Sequence, residues 1–154
     1  MEIKIFSLFP EMFAGPLNSS LLGKAQDKGV LSIEIIDFRM YSTNKHRAVD
    51  DYPYGGGVGM VLQPEPVVSA LRDCLDLQDP EQEIILLTPQ GKVFTQEEAK
   101  RLAQKKKLAF VCGHYEGFDE RIRHFATAEY TIGDYVLTGG EIPAMVMVDT
   151  ISRL

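Results

Sequence analysis

The sequence predicts an α/β domain built on a mostly parallel sheet with helices on both faces. Three observations predict it. Short, continuous apolar runs such as 83–88 (EIILLT) and 108–112 (LAFVC) suit strands covered on both faces. These runs alternate with stretches of helical spacing. The 154 residues, 45% hydrophobic and 25% charged, suffice for one domain with a sizeable core.

Residues 2–9 (EIKIFSLF) read as a buried strand ended by Pro10. A helical segment follows to about Lys28, with Gly29 placed as a C-cap. Residues 30–38 alternate well enough for a second strand, and 39–62 are irregular. Residues 64–77 have helical spacing and a permitted proline start. The strand at 83–88 is followed by a helix over 95–107, which opens on a capping box of Thr95 and Glu98. After the strand at 108–112, residues 118–126 make one or two helical turns. Residues 128–132 and 135–137 read as strands, the latter short and buried, and a helix begins at Glu141. That helix is still amphipathic at Leu154, with Met145, Val148 and Ile151 in phase and no cap, so the sequence reads as cut from something longer.

A net charge of −6 argues against a general nucleic-acid coat and leaves room for a local basic patch. Lys45, His46 and Arg47 are candidates, as are Lys105 to Lys107, although a solvated helix end accounts for the latter run. No apolar run is long enough to span a membrane, and the N-terminus lacks a signal-peptide pattern. Cys74 and Cys112 lie in apolar contexts and read as buried free thiols, which favours a cytoplasmic setting.

Ligands of parallel sheets bind beyond the carboxyl ends of the strands. Here TPQGK (88–92), GHYEG (113–117) and TGGE (138–141) occupy those places, and all contain glycine. No dinucleotide fingerprint, P-loop or nucleophile elbow is present, and the three histidines have no zinc-like spacing. DDYPYGGGVGM (50–60) is either a plain surface loop or a mobile element closing over a substrate. In CGHYEGFDER, Asp119 and Glu120 read as helix-start acids, whereas Glu116 has no such structural reason. The residues alone leave open a non-catalytic nucleotide- or RNA-binding α/β module. A dinucleotide oxidoreductase reading is weaker still.

LFPEMF, HRAVDDYPYGGGVGM, TPQGKVF, VCGHYEGFDERI and IGDYVLTGGEIPA follow one another in the order and spacing of bacterial tRNA (guanine-N1)-methyltransferases of the TrmD type, in the SPOUT superfamily. The resemblance covers all 154 residues; His114 stands where some members carry Arg. It implies a SPOUT-type α/β domain with a deep C-terminal trefoil knot, and a homodimer with its active sites at the subunit interface. It also implies methylation of N1 of the guanine just 3′ of the anticodon, with S-adenosylmethionine as cofactor, tRNA gripped through its anticodon stem-loop, and Mg²⁺ as a second requirement.

The resemblance further implies that the cofactor lies against Leu86, Leu87, Pro89, Gly113, Tyr115, Glu116, Gly117, Ile132, Gly133, Asp134, Tyr135, Val136, Leu137, Gly139, Gly140 and Pro143. The backbone of 132–137 and of Gly113 would hold the adenine edge and ribose, and Gly139 and Gly140 would let the chain approach without a Cβ. Glu116 would face the methionine end. Arg153 matches the arginine that stabilises charge on the guanine, whereas the aspartate base and the tRNA-binding domain would lie beyond Leu154. On that expectation the 154 residues bind cofactor but are impaired in catalysis. No all-protein metal cage is legible.

Overall fold

The computed structural model describes residues 1–42, 50–51, 61–114 and 117–154. The elements run β1 (Glu2–Ser7), α1 (Ser20–Asp27), β2 (Ser32–Asp37), β3 (Asp50–Asp51), β4 (Val61–Leu62), α2 (Pro64–Cys74), β5 (Gln82–Val93), α3 (Gln96–Leu102), β6 (Lys107–Cys112), α4 (Glu120–Arg123), β7 (Ala128–Thr131) and α5 (Glu141–Ser152). Five strands form one sheet in the order β2-β1-β6-β5-β7, and every neighbouring pair is parallel. β3 and β4 form a two-residue antiparallel ladder.

Side-chain alternation splits the core into two layers, one on each face of the sheet. On one face Ile3, Ile5, Ile85, Leu87, Leu108 and Phe110 pack with Leu22 of α1, Ala99 and Leu102 of α3, and Met147 and Ile151 of α5. On the other, Phe6, Ile84, Leu86, Ala109 and Val111 pack with Val67 and Leu71 of α2 and Ile122 of α4. Helices therefore cover both faces, as the continuous apolar strands require.

Local chemistry sets the helix ends. Thr95 Oγ1 accepts from the Glu98 N–H at 3.3 Å and starts α3. Asp119 accepts from the Arg121 N–H at 2.8 Å and starts α4, which bears out its reading as a helix-start acid. Gly29, at φ +74°, ends α1 in a Schellman arrangement: the Val30 N–H reaches Ala25 O at 3.0 Å, and that of Gly29 reaches Gln26 O at 3.0 Å.

Four expectations change. The segment expected as one helix from 10 to 28 is two 3-10 turns, Pro10–Phe13 and Pro16–Asn18, before α1, because Pro10 and Pro16 each start a new turn. The helix expected over 95–107 ends at Leu102, and Lys107 already belongs to β6, where it pairs with Asp79 at 2.8 Å. β5 runs on to Val93 rather than stopping at Thr88. Leu87 and Lys92 both pair with Tyr130, so residues 88–91 bulge out of the ladder. The buried strand expected at 135–137 is absent: Tyr135, Val136 and Leu137 lie outside regular structure and are 55%, 80% and 38% exposed. Residues 45–47, and all of the 50–60 loop beyond Asp51, fall outside the described residues.

One polar network clamps α3 to the β5–β7 edge. The Arg101 guanidinium donates to Glu98 Oε2, Glu83 Oε1 and the Tyr130 hydroxyl, each at 3.0 Å, and Lys92 pairs with Glu98. Hydrogen bonds from Lys92 and then Arg101 hold the Glu98 carboxyl below its ordinary 4.5. A carboxyl depressed in the folded state stabilises above its unfolded value, and that contribution is lost as pH falls through the folded one. The stability difference between the parent and Glu98→Gln should therefore be constant above about pH 5.5 and shrink as pH falls below about 4.5, read by urea unfolding across that range.

Gly91 sits in the bulge, where an added Cβ would lie 2.5 Å from Tyr130 N and 2.6 Å from the Glu129 carbonyl carbon. Backbone on both strands must then part. Gly91→Ala should cost about 1–3 kcal/mol, measured as a shift in the denaturant midpoint at constant slope.

Candidate functional site

The carboxyl ends of β5, β6 and β7 open on one cavity of ≈ 560 Å³. This is the size range of a small-molecule site, at the place where parallel sheets bind ligands. Thr88, Pro89 and Gln90 from the β5 bulge form one wall. Gly113, His114, Gly117 and Phe118 after β6 form a second. Residues 130–132 and 135–140, with Pro143 of α5, complete it. The walls are mostly apolar side chains and bare backbone, the pairing that an aromatic base with a polar edge demands.

Of the residues expected to hold a cofactor, Leu87, Pro89, Gly113, Gly117, Ile132, Tyr135, Val136, Leu137, Gly139, Gly140 and Pro143 line this cavity. Leu86 does not: it points to the opposite face of the sheet and packs with Phe6 and Val111. Gly133 and Asp134 belong to the same turn but not to the lining. Tyr115 and Glu116 fall outside the described residues. Arg153 is exposed just past the far end of α5, ten positions beyond the cavity-lining Pro143, a rise of about 15 Å. The expected set omits Thr88, Gln90, His114, Phe118, Tyr130, Thr131 and Thr138, which also line the cavity. The signal for His114 was its place directly after a buried strand.

The glycines of 132–140 serve space rather than unusual backbone. None has positive φ. A Cβ on Gly139 would overlap the His114 ring, and one on Gly140 would lie 2.9 Å from Cys112 Cα and 3.0 Å from Leu87 Cβ. The close approach expected toward a ligand is thus also an approach to protein, which packs the cavity wall on β6.

Two polar arrangements hold the walls. Arg123 of α4 donates to Glu129 Oε1 at 2.6 Å, to Gln90 Oε1 at 3.3 Å and to Phe118 O at 3.3 Å, joining the first two walls. Beneath the third lies Glu141, 1% exposed at the start of α5. Its Oε2 accepts from the Ser7 hydroxyl at 2.6 Å, and its Oε1 pairs with His114 Nε2. Ser7 Oγ also accepts from the Phe9 N–H at 2.9 Å, and the Gly140 N–H donates to Gly113 O at 2.9 Å. Burial, reinforced by the nearby Glu141 carboxylate, pushes the Cys112 thiol well up, so it is an inert core group rather than a nucleophile. Cys74, the second free thiol, is only half-buried, contrary to expectation.

Among the described residues no group of three or more His, Cys, Asp or Glu could hold a metal ion. Among them, too, no helix is long and apolar enough to cross a membrane.

A family model described as "tRNA (Guanine-1)-methyltransferase TrmD" matches residues 1–154. The chain is 57% identical over 155 residues to a tRNA (guanine-N(1)-)-methyltransferase of Staphylococcus epidermidis strain RP62A, covering all of this chain and 62% of that protein. It is 55% identical over 155 residues to the Bacillus subtilis strain 168 protein of the same name, covering 64% of it. The relative from Shouchella clausii is 53% identical over 154 residues, with 63% covered. The chain thus spans less than two thirds of the length of these relatives. With the family match running from the first residue to the last, the chain belongs to the tRNA (guanine-1)-methyltransferase TrmD family.

Proposed function

We propose that the cavity is the S-adenosylmethionine site of a tRNA (guanine-N1)-methyltransferase. The observation that carries this reading is the cavity itself: apolar walls and exposed backbone meet at the ends of three parallel strands, in a chain whose family is named for methyl transfer to guanine. The adenosyl group fits the donor set. Leu87, Pro89, Ile132 and Pro143 supply a slot for a flat ring, and the backbone of residues 135–139 supplies fixed donors and acceptors. The exposed apolar run Tyr135 to Leu137 gains a cover when that slot is filled. Mg²⁺ has no cage among the described residues.

When bound, the cofactor supplies an electrophilic methyl group on a sulfonium. The chain's part is to hold that methyl in line with guanine N1 and keep water away. Leu87, Pro89, Ile132, Pro143 and the backbone of 135–139 would hold the group, whose methyl would go to N1 with the thioether as leaving group, the N1 proton passing to a general base. Negative charge on the guanine oxygen calls for a cation. Arg153 is our candidate. Because α5 carries it about 15 Å from its own cavity, it would act at the cavity of a second copy, in a homodimer whose active sites lie at the interface. Ile142 and Val146, four residues apart on α5 and 47% and 41% exposed, offer an apolar stripe for that pairing. The SPOUT-type knot, the guanine just 3′ of the anticodon and the anticodon stem-loop as docking element belong to the same proposal, as does Glu116 near the methionine end.

The test is calorimetric titration of this chain with S-adenosylmethionine, repeated with ATP and NAD. Saturable binding of S-adenosylmethionine alone is expected. Gly139→Val, which must push the His114 ring aside, should weaken it at least about tenfold while the chain stays folded. Equal uptake of ATP would favour a non-catalytic adenine-nucleotide module instead, and no uptake of S-adenosylmethionine would overturn the reading.

A further inference from the structure

Glu141 is a carboxylate placed where carboxylates are costly. It is 1% exposed, and its surroundings are the core face that holds Cys112, Ala144 and Leu87. A buried charge is tolerated when its lone pairs are satisfied, and then it fixes the groups that satisfy it. The partners of Glu141 come from different elements. Ser7 ends β1 and is itself fully buried, with its hydroxyl joining Glu141 to the Phe9 N–H. His114 follows β6, and its ring packs against Phe9 at 4.7 Å between centroids. The His114 ring also fills the space that a Cβ on Gly139 would take. Favourable charge at a helix start would explain an acid at this position. It would not explain why both carboxylate oxygens reach across to the ends of two strands.

We propose that Glu141 is a positioning residue for the adenosyl cavity, acting through His114. The carboxylate holds the imidazole against Gly139, with Ser7 steadying the carboxylate from below. The seam between residues 113–114 and 139–140, already joined by the Gly140 N–H to Gly113 O bond, is thereby shaped before any ligand arrives. This role rests on the cavity being the adenosyl site.

The test is a double-mutant cycle read in affinity for S-adenosylhomocysteine by calorimetry, each variant first shown to unfold well above the assay temperature. Glu141→Gln and His114→Gln should each weaken binding about tenfold, and the double variant should be no worse than the weaker single by more than about threefold. Should Glu141→Gln not fold, Ser7→Ala takes its place in the cycle with an expected loss of about threefold, none of it added in the His114→Gln background. Parent-like affinity in the Glu141 or Ser7 variant, or losses that multiply as for independent sites, would overturn the role while leaving the cavity's assignment intact. A parent chain that takes up no S-adenosylhomocysteine would overturn that assignment and the role with it.

Discussion

Burial of β5 and β6 on both faces is the constraint on which the rest of this structure depends. Each strand is flanked by a strand on either side and by helices above and below. Their backbone groups are spent on the ladders, and their side chains fill two cores. Only their ends remain available for chemistry. The amino ends are occupied by Lys107, held by Asp79, and by the buried Gln82, which donates to Asp76 O. The carboxyl ends are where glycine, bare backbone and a cavity accumulate.

A cavity made of loops would collapse or breathe without a frame, and three polar clamps supply one. Arg101 locks α3 to the strands at the back. Arg123 joins the β5 bulge to Phe118 and β7. Glu141 gathers the ends of β1 and β6 at the start of α5. The first two are partly exposed, Arg101 at 47% and Arg123 at 24%, so solvent screens them in part and much of their worth is geometric. Glu141 is fully buried, where removing one partner of a satisfied set costs most.

The architecture was legible because its signals are strong and local. Continuous apolar runs at 83–88 and 108–112 announced buried parallel strands, and Thr95 with Glu98 announced α3. The lower limit of legibility is Tyr135 to Leu137. An apolar triplet reads as a strand by composition, yet no neighbour offers it a ladder, and it stays exposed at the cavity mouth. Leu86 shows a different limit. It adjoins Leu87 in sequence, but the two-residue period of a strand sends it to the other face. His114 and Glu141 stood in quoted motifs, CGHYEG and TGGE, without any sign that they meet. Their contact is set by the docking of α5 against the end of β6, 27 positions apart, and no local pattern encodes that.

The glycines show why site and scaffold are hard to separate here. Gly139 and Gly140 would ordinarily be assigned either to a turn or to a ligand. Instead, the ring of His114 and the backbone at Cys112 occupy the space their missing side chains leave. A residue that makes room for protein in this way also fixes the cavity's inner surface, because whatever fills the gap becomes the wall. Substituting such a glycine therefore acts on a ligand through the displaced wall. The same logic makes His114 more than a lining residue: pressed between Gly139, Phe9 and Glu141, it has few rotamers left, and the cavity inherits that rigidity.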